Sequence, residues 1–182
     1  IVVDHRIDGD YDSFRKDSIA TLGVDPKMDS IDFKNNPEDE VIKRYEEQVE
    51  ERYHRKNNDI VSVLLPMIKD VKERDGDRYK RIIVPFTDGS TNPLMITANI
   101  DDAIATEGQS IKGDIEKTVA LSIADNEWKE HLRSMDELKE ASQAASFEQK
   151  DPLVVYKMEA YKLFEDLVYE TNSKVTSYLM QG

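Results

Sequence analysis

Few residues in this chain could do chemistry, and most do not fall into working patterns. Three histidines, His5, His54 and His131, are scattered over 182 residues, and there is no cysteine. A side-chain nucleophile needs an activating base within hydrogen-bond reach, and none of the histidines comes with a triad-like context. Each reads as a surface or interface residue. Phosphate cradles need Gly-x-x-x-x-Gly-Lys-[Ser/Thr] or Gly-x-Gly-x-x-Gly, and the chain has neither. Asp4, Asp8, Asp10 and Asp12 crowd the opening. An EF-hand loop starting at Asp4 would put Asp8 and Gly9 in place, but Arg6 and Arg15 occupy ligand positions. Starting at Asp8 puts Ser13 where glycine must turn. No catalytic residue and no metal site is expected.

Two aromatics say more. Trp128 is the only tryptophan and shares a helical stripe with Leu132 and Met135; it is either a packing anchor or a ligand contact. Phe147 stands in a polar segment, Ser146-Phe147-Glu148-Gln149-Lys150-Asp151-Pro152, between two long helical patterns. Burial against the helices' own core is geometrically difficult there. The ring either faces a partner, flanked by Glu148, Gln149 and Lys150, or folds back over Ala144 or Val154. An aromatic at an exposed loop tip is a binding feature.

The elements that must hold these residues are mostly helical. Ile111, Ile115, Val119, Ile123, Trp128, Leu132, Met135 and Leu138 recur at helical spacing. That first arm would run roughly 55 Å at the helical rise per residue. The return arm opens with Asp151 as N-cap and Pro152 at the first helical position. Its stripe is Leu153, Tyr156, Ala160, Leu163/Phe164, Leu167, Val175 and Tyr178/Leu179. Two such stripes across a short loop bury each other as an antiparallel pair.

From Glu38 a further long helix is expected, with a kink or break near Asn57-Asn58 because Pro66 lies inside the run. Residues 79–86 and 91–98 read as a β-hairpin turning through Thr87-Asp88-Gly89-Ser90, Asp-Gly being a favoured two-residue turn. Pro85 and Pro93 should sit at strand edges, since neither can donate to a ladder. A short helical turn follows over Asp101 to Ala105, ending near Gly108. Before Glu38 the pattern is weak: an apolar, strand-like Ile1-Val2-Val3, then a short helix over Tyr11 to Thr21. The expected fold is mainly α, a long antiparallel helical hairpin at 101–182 plus a helical subdomain at 1–100 carrying the β-hairpin.

Composition narrows the function classes. Charged residues are 35% and hydrophobic ones 38%, with a net charge of −13. Phosphate backbones and anionic membrane surfaces both call for a basic face, so neither is expected as a partner of this chain alone. No run approaches the roughly 20 apolar residues that span a bilayer. Absent cysteines exclude disulfides and fit a cytosolic setting. The chain starts without methionine, which points to a piece of a longer protein.

At Trp128-Lys129-Glu130-His131-Leu132, Met135-Asp136, Gln149-Lys150-Asp151-Pro152 and Tyr156-Lys157 the sequence resembles the SecA family, ATP-driven motors of bacterial preprotein translocation. These segments match, in order and spacing, the two-helix finger of that family's helical scaffold domain. Glu148 to Leu153 with Tyr156-Lys157 looks like the Bacteroidetes branch. Ile82-Ile83-Val84-Pro85, Thr87-Asp88-Gly89 and Thr106-Glu107-Gly108 look like its helical wing domain and the junction to the finger. The resemblance covers residues 38–182.

The resemblance implies a finger at the mouth of the SecYEG channel whose tip touches the translocating, unfolded preprotein and couples ATPase motions to its movement. Phe147 takes the place of the family's tip tyrosine, with Glu148, Gln149 and Lys150 beside it. Trp128, Leu132, Met135, Asp151, Pro152 and Tyr156 would anchor the finger. ATP and magnesium would bind elsewhere in the parent; this piece would hold no cofactor and hydrolyse nothing by itself. The remaining motor domains become partners, and the setting becomes the cytoplasmic side of the inner membrane, peripheral through the channel. The rival reading is a free-standing helical adaptor that binds a partner protein through the hairpin.

Overall fold

Helices dominate, and aspartates and glycines punctuate them. The computed structural model describes residues 1–89, 92–144 and 151–182. In chain order its elements are α1 (Val2–Asp8), α2 (Tyr11–Leu22), α3 (Ser30–Asn35), α4 (Glu38–Asp75), β1 (Arg81–Phe86), β2 (Leu94–Asn99), α5 (Ile100–Ala105), α6 (Gln109–Ala144) and α7 (Pro152–Gln181). The fold is mainly α with one β-hairpin, as the periodicity indicates. The chain divides into two compact units, Ile1–Glu116 with Ser177–Gly182, and Lys117–Thr176.

The first unit opens on three short helices. The strand-like start is in fact α1, which Gly9 ends in the left-handed conformation at φ 64°. Burial of Val2 in the core outweighs the weak helix preference of β-branched residues. The crowded aspartates have structural work. Asp10 accepts the Ser13 N–H at 3.0 Å and caps α2, and Asp29 accepts the Ile31 and Asp32 N–H groups and caps α3. Asp25 binds the Arg15 guanidinium through both oxygens, at 2.6 and 2.7 Å.

Val2, Phe14, Leu22, Val24, Phe33, Val41, Tyr45 and Met180 form one buried cluster. Phe14 stacks on Phe33 with centroids 4.7 Å apart and meets Tyr45 edge-on at 5.2 Å. Ser18, also buried, donates to the Val24 carbonyl and pairs with the Tyr45 hydroxyl. Met180 comes from the far end of the chain. Around it, Ser177 donates to the Thr21 carbonyl at 2.9 Å, and Tyr178 to the Phe86 carbonyl at 3.1 Å.

α4 runs as one helix through both the asparagine pair and Pro66, so of the expected kink or break the break does not occur. Each asparagine has a reason to stay helical. Asn57 is buried and hydrogen-bonds Tyr53. Asn58 accepts the Lys112 ammonium of α6 at 2.9 Å. Tertiary contacts on both sides of Pro66, where Ile68 is 1% exposed, offset the roughly 3 kcal/mol that an interior proline costs.

The hairpin pairs Arg81 with Asn99 through Phe86 with Leu94. β2 begins at Leu94 rather than at residue 91, and the turn expected over Thr87-Asp88-Gly89-Ser90 runs into residues outside those described. Strand alternation sends Val84, Phe86, Ile96 and Ala98 inward, while Ile83 and Met95 are exposed. Ile100 N–H bonds the Lys80 carbonyl at 3.0 Å, which fixes the ladder's phase. Alternating from there puts Pro85 opposite Met95 in a non-hydrogen-bonded pair, with its missing donor on the outer edge of β1.

Asn99 caps α5, and Thr106, Glu107 and Gly108 turn the chain sharply into α6, with Gly108 at φ 86°. A Cβ at Gly108 would lie 2.4 Å from Cγ1 of Val61 in α4. Gly108→Ala is therefore expected to lower unfolding stability by about 2 kcal/mol through combined strain and overpacking. Urea denaturation checks this; an unchanged midpoint would contradict the close approach of α4 and the α5–α6 turn.

Candidate functional site

The second unit, Lys117–Thr176, holds the central lengths of α6 and α7. One hollow is lined by Leu121, Ala124 and Trp128 of α6 and by Leu167, Val168 and Thr171 of α7. Another is lined by Glu127, Glu130, His131 and Ser134 with Leu163, Asp166 and Glu170. As α6 ascends, its partners on α7 descend, so the arms are antiparallel. Lys174 bonds Glu127 across the arms at 2.9 Å and lies 3.6 Å from Glu170 on its own arm. The Glu127 hydrogen bond leads in raising the Lys174 pKa above its ordinary value.

The two hollows differ in chemistry. The first is an open apolar groove of about 510 Å³. The second is a small acidic seam, where the ring of His131 packs on that of Trp128 at 5.4 Å between centroids. Trp128 thus stands beside both. It is 49% exposed and Leu132 48%, while Met135 and Tyr156 are half-buried. Asp151 accepts the Leu153 N–H at 2.8 Å through its side chain and the Val155 N–H at 3.1 Å through its carbonyl, so it caps α7 with Pro152 as the first helical residue. Phe147, Glu148, Gln149 and Lys150 lie outside the described residues.

A second α7 stripe was not singled out in the sequence. Val154, Met158, Tyr161 and Val168 recur at spacings of three, four and seven, together with Phe164 of the expected stripe, and all are exposed, as is Leu153. The signal was present: α7 is apolar over most of its circumference, which marks a helix that needs covering on more than one side. With Leu121, Trp128 and Leu132 on α6, these residues make a surface suited to broad, non-directional contact with apolar partners. Tyr161 donates to Glu165, which raises its pKa above the ordinary value.

A family model described as the SecA Wing and Scaffold domain matches residues 3–182. The match begins well before residue 38, so the opening helices belong to the same family unit as the arms. The protein translocase subunit SecA of Flavobacterium psychrophilum is 36% identical over 182 residues, all of this chain and 16% of that protein. The SecA subunit of Bacteroides fragilis is 34% identical over 173 residues, 95% of this chain and 16% of that protein. That of Cytophaga hutchinsonii is 34% identical over 172 residues, covering 94% and 15%. The chain thus spans about one sixth of the length of these relatives. No solved structure matches the chain.

As the single tryptophan, Trp128 reports directly on the groove. Its emission is expected at the red, water-exposed end of the indole range and should be readily quenched by acrylamide. A blue-shifted, quencher-resistant emission would mean that the groove is covered in the isolated chain.

Proposed function

This chain belongs to the SecA wing and scaffold family, and on that premise we propose that it serves as the helical wing and two-helix finger of a SecA-type protein translocase. Its work in this reading is mechanical. The first unit is the base, the antiparallel arms are the lever, and the tip segment around Phe147 meets the polypeptide being moved. Phe147 carries no hydroxyl, so its grip is stacking and apolar contact, which varied side chains satisfy without a sequence requirement. Trp128, Leu132, Met135, Asp151, Pro152 and Tyr156 position the arms, Asp151 and Pro152 by starting α7 at a fixed point.

The observation that supports this most is the pair of uncovered apolar stripes on α6 and α7. An isolated pair of surface helices has one apolar stripe each, turned toward its neighbour. Here a second face remains open, with Leu121 61%, Met158 60% and Tyr161 64% exposed. A finger set within a larger motor has such a surface because other helices of that motor lie against it. The partners follow: the remaining motor domains, the SecYEG channel and unfolded preproteins. Among the described residues no helix is long and apolar enough to cross a membrane, and attachment at the cytoplasmic side of the inner membrane would run through the channel.

ATP and magnesium would belong to other parts of the parent, since the glycine-rich phosphate cradle that nucleotide binding needs is absent from this sequence. The chain would then couple hydrolysis to movement without catalysing it.

A photo-crosslinking residue at position 147 of the parent protein tests the tip assignment during active translocation. Adducts to the moving polypeptide are expected; adducts confined to the translocase's own subunits would sink it. Calorimetry supplies a separate check: magnesium–ATP titrated into the 182-residue chain should give no specific binding heat, and a saturable signal would overturn the division of labour.

A further inference from the structure

Of the hairpin's two outer margins, one is closed and the other is open. The bond from the Ile100 N–H to the Lys80 carbonyl sets the ladder's phase, so odd-numbered residues of both strands turn their main-chain groups outward. On β1 that margin is broken by Pro85, which has no N–H. On β2 it consists of Met95 and Thr97, bounded by Pro93 before the strand and by Asn99, the cap of α5, at its end. Neither Met95 nor Thr97 has a main-chain partner on that side among the described residues, and both residues are exposed. Buried amides are almost always paired, so these unpaired ones face solvent. They offer two donors and two acceptors at strand spacing, a template to which an extended chain adds.

The surroundings of the open margin specify the occupant. Ile83, Met95 and Thr97 share the outward face, with Ile83 67% and Met95 58% exposed, so an added strand can set alternate apolar side chains beside them. At the Asn99 end stand Arg78, Lys80 and Arg81, all exposed. In a chain of net charge −13, residues 78–99 carry these three cations and one acid, Asp88, beyond the opposite end of β1. Among the described residues none of the three cations lies at ion-pair distance from a carboxylate. The neighbouring Asp77 and Asp101 are both taken by Lys72, at 2.6 and 2.7 Å. A second copy of this chain meets the cations poorly, since its own β2 carries no acid.

We propose that the outer margin of β2 docks an extended acidic–apolar segment of another protein as a third strand. The added strand runs antiparallel to β2, the more stable pairing. Its carboxylate lies opposite Asn99, within reach of Arg81 across the ribbon, and its apolar residues fall beside Thr97 and Met95. Main-chain bonds supply the affinity, while the charge at one end fixes direction and register. This surface belongs to the first unit and serves whether or not the arms act as a finger.

Calorimetric titration of the 182-residue chain with the peptide acetyl-Asp-Thr-Leu-Thr-Leu-Ser-amide tests this. Saturable one-to-one binding is expected, weakened about fivefold when lysine replaces the peptide's aspartate. Amide hydrogen exchange, read by NMR with the peptide bound, should slow at Met95 and Thr97 and stay unchanged at Ile83 on the closed margin. Thr97→Pro removes an outward donor and leaves the β1–β2 bonds intact, as Pro85 does on the other strand, so it should abolish binding. Methylating the amide nitrogens of the peptide's two leucines should do the same without altering the protein. Absence of binding, binding indifferent to that methylation, or no added protection at Thr97 overturns the proposal. A dimer in sedimentation that Thr97→Pro dissolves would assign the margin to a second copy and equally overturn it.

Discussion

The constraint on which the first unit depends is the return of the chain's end to its beginning. Met180 fills the cluster built by α1, α2, α3 and the start of α4, and is 3% exposed there. Without it, Phe14, Phe33 and Tyr45 would border a cavity, and cavities left by large apolar side chains cost about 2–5 kcal/mol. The hydrogen bonds of Ser177 to Thr21 and of Tyr178 to Phe86 hold that turn in register. Ser177 and Thr21 lie 156 residues apart and Tyr178 and Phe86 lie 92 apart, so these contacts close long loops within the first unit.

In the first unit α6 begins next to α4, with Ile111 and Ile115 buried and Tyr53 donating to Glu116 at 2.6 Å. α7 comes back through Met180. Among the described residues of the second unit, Val119 and Ser142 are the buried ones. The second unit relies on paired stripes, an ion pair and local helix energetics.

Much of this was legible beforehand. The 3.6-residue period marked α4, α6 and α7, and Asp151-Pro152 marked the start of α7, because these signals are local and strong. What escaped was set by distant contacts. Nothing in Ile1-Val2-Val3 says helix; burial of Val2 against residues far along the chain decides it. Asn57, Asn58 and Pro66 each argue for a break, and each is overruled by a partner or a packed face that sequence spacing cannot supply. The hairpin was legible from its β-prone runs, but the start of β2 at Leu94 was not, since Thr91 and Leu94 both belong to the same β-prone run. At the site, the inward stripe of α7 was readable only in part: Leu153 and Phe164 of that stripe are exposed, since both faces consist of the same residue types and only the packing separates them.

Pro85 bears on how the protein behaves at high concentration. A two-stranded ribbon exposes both flanks, and Ile83 and Met95 make this one apolar on its solvent side. Such a flank is where neighbouring copies could stack into cross-β aggregates. By deleting one outward amide near the end of β1, the proline interrupts the template, and a second molecule laid alongside would lose a rung of its ladder.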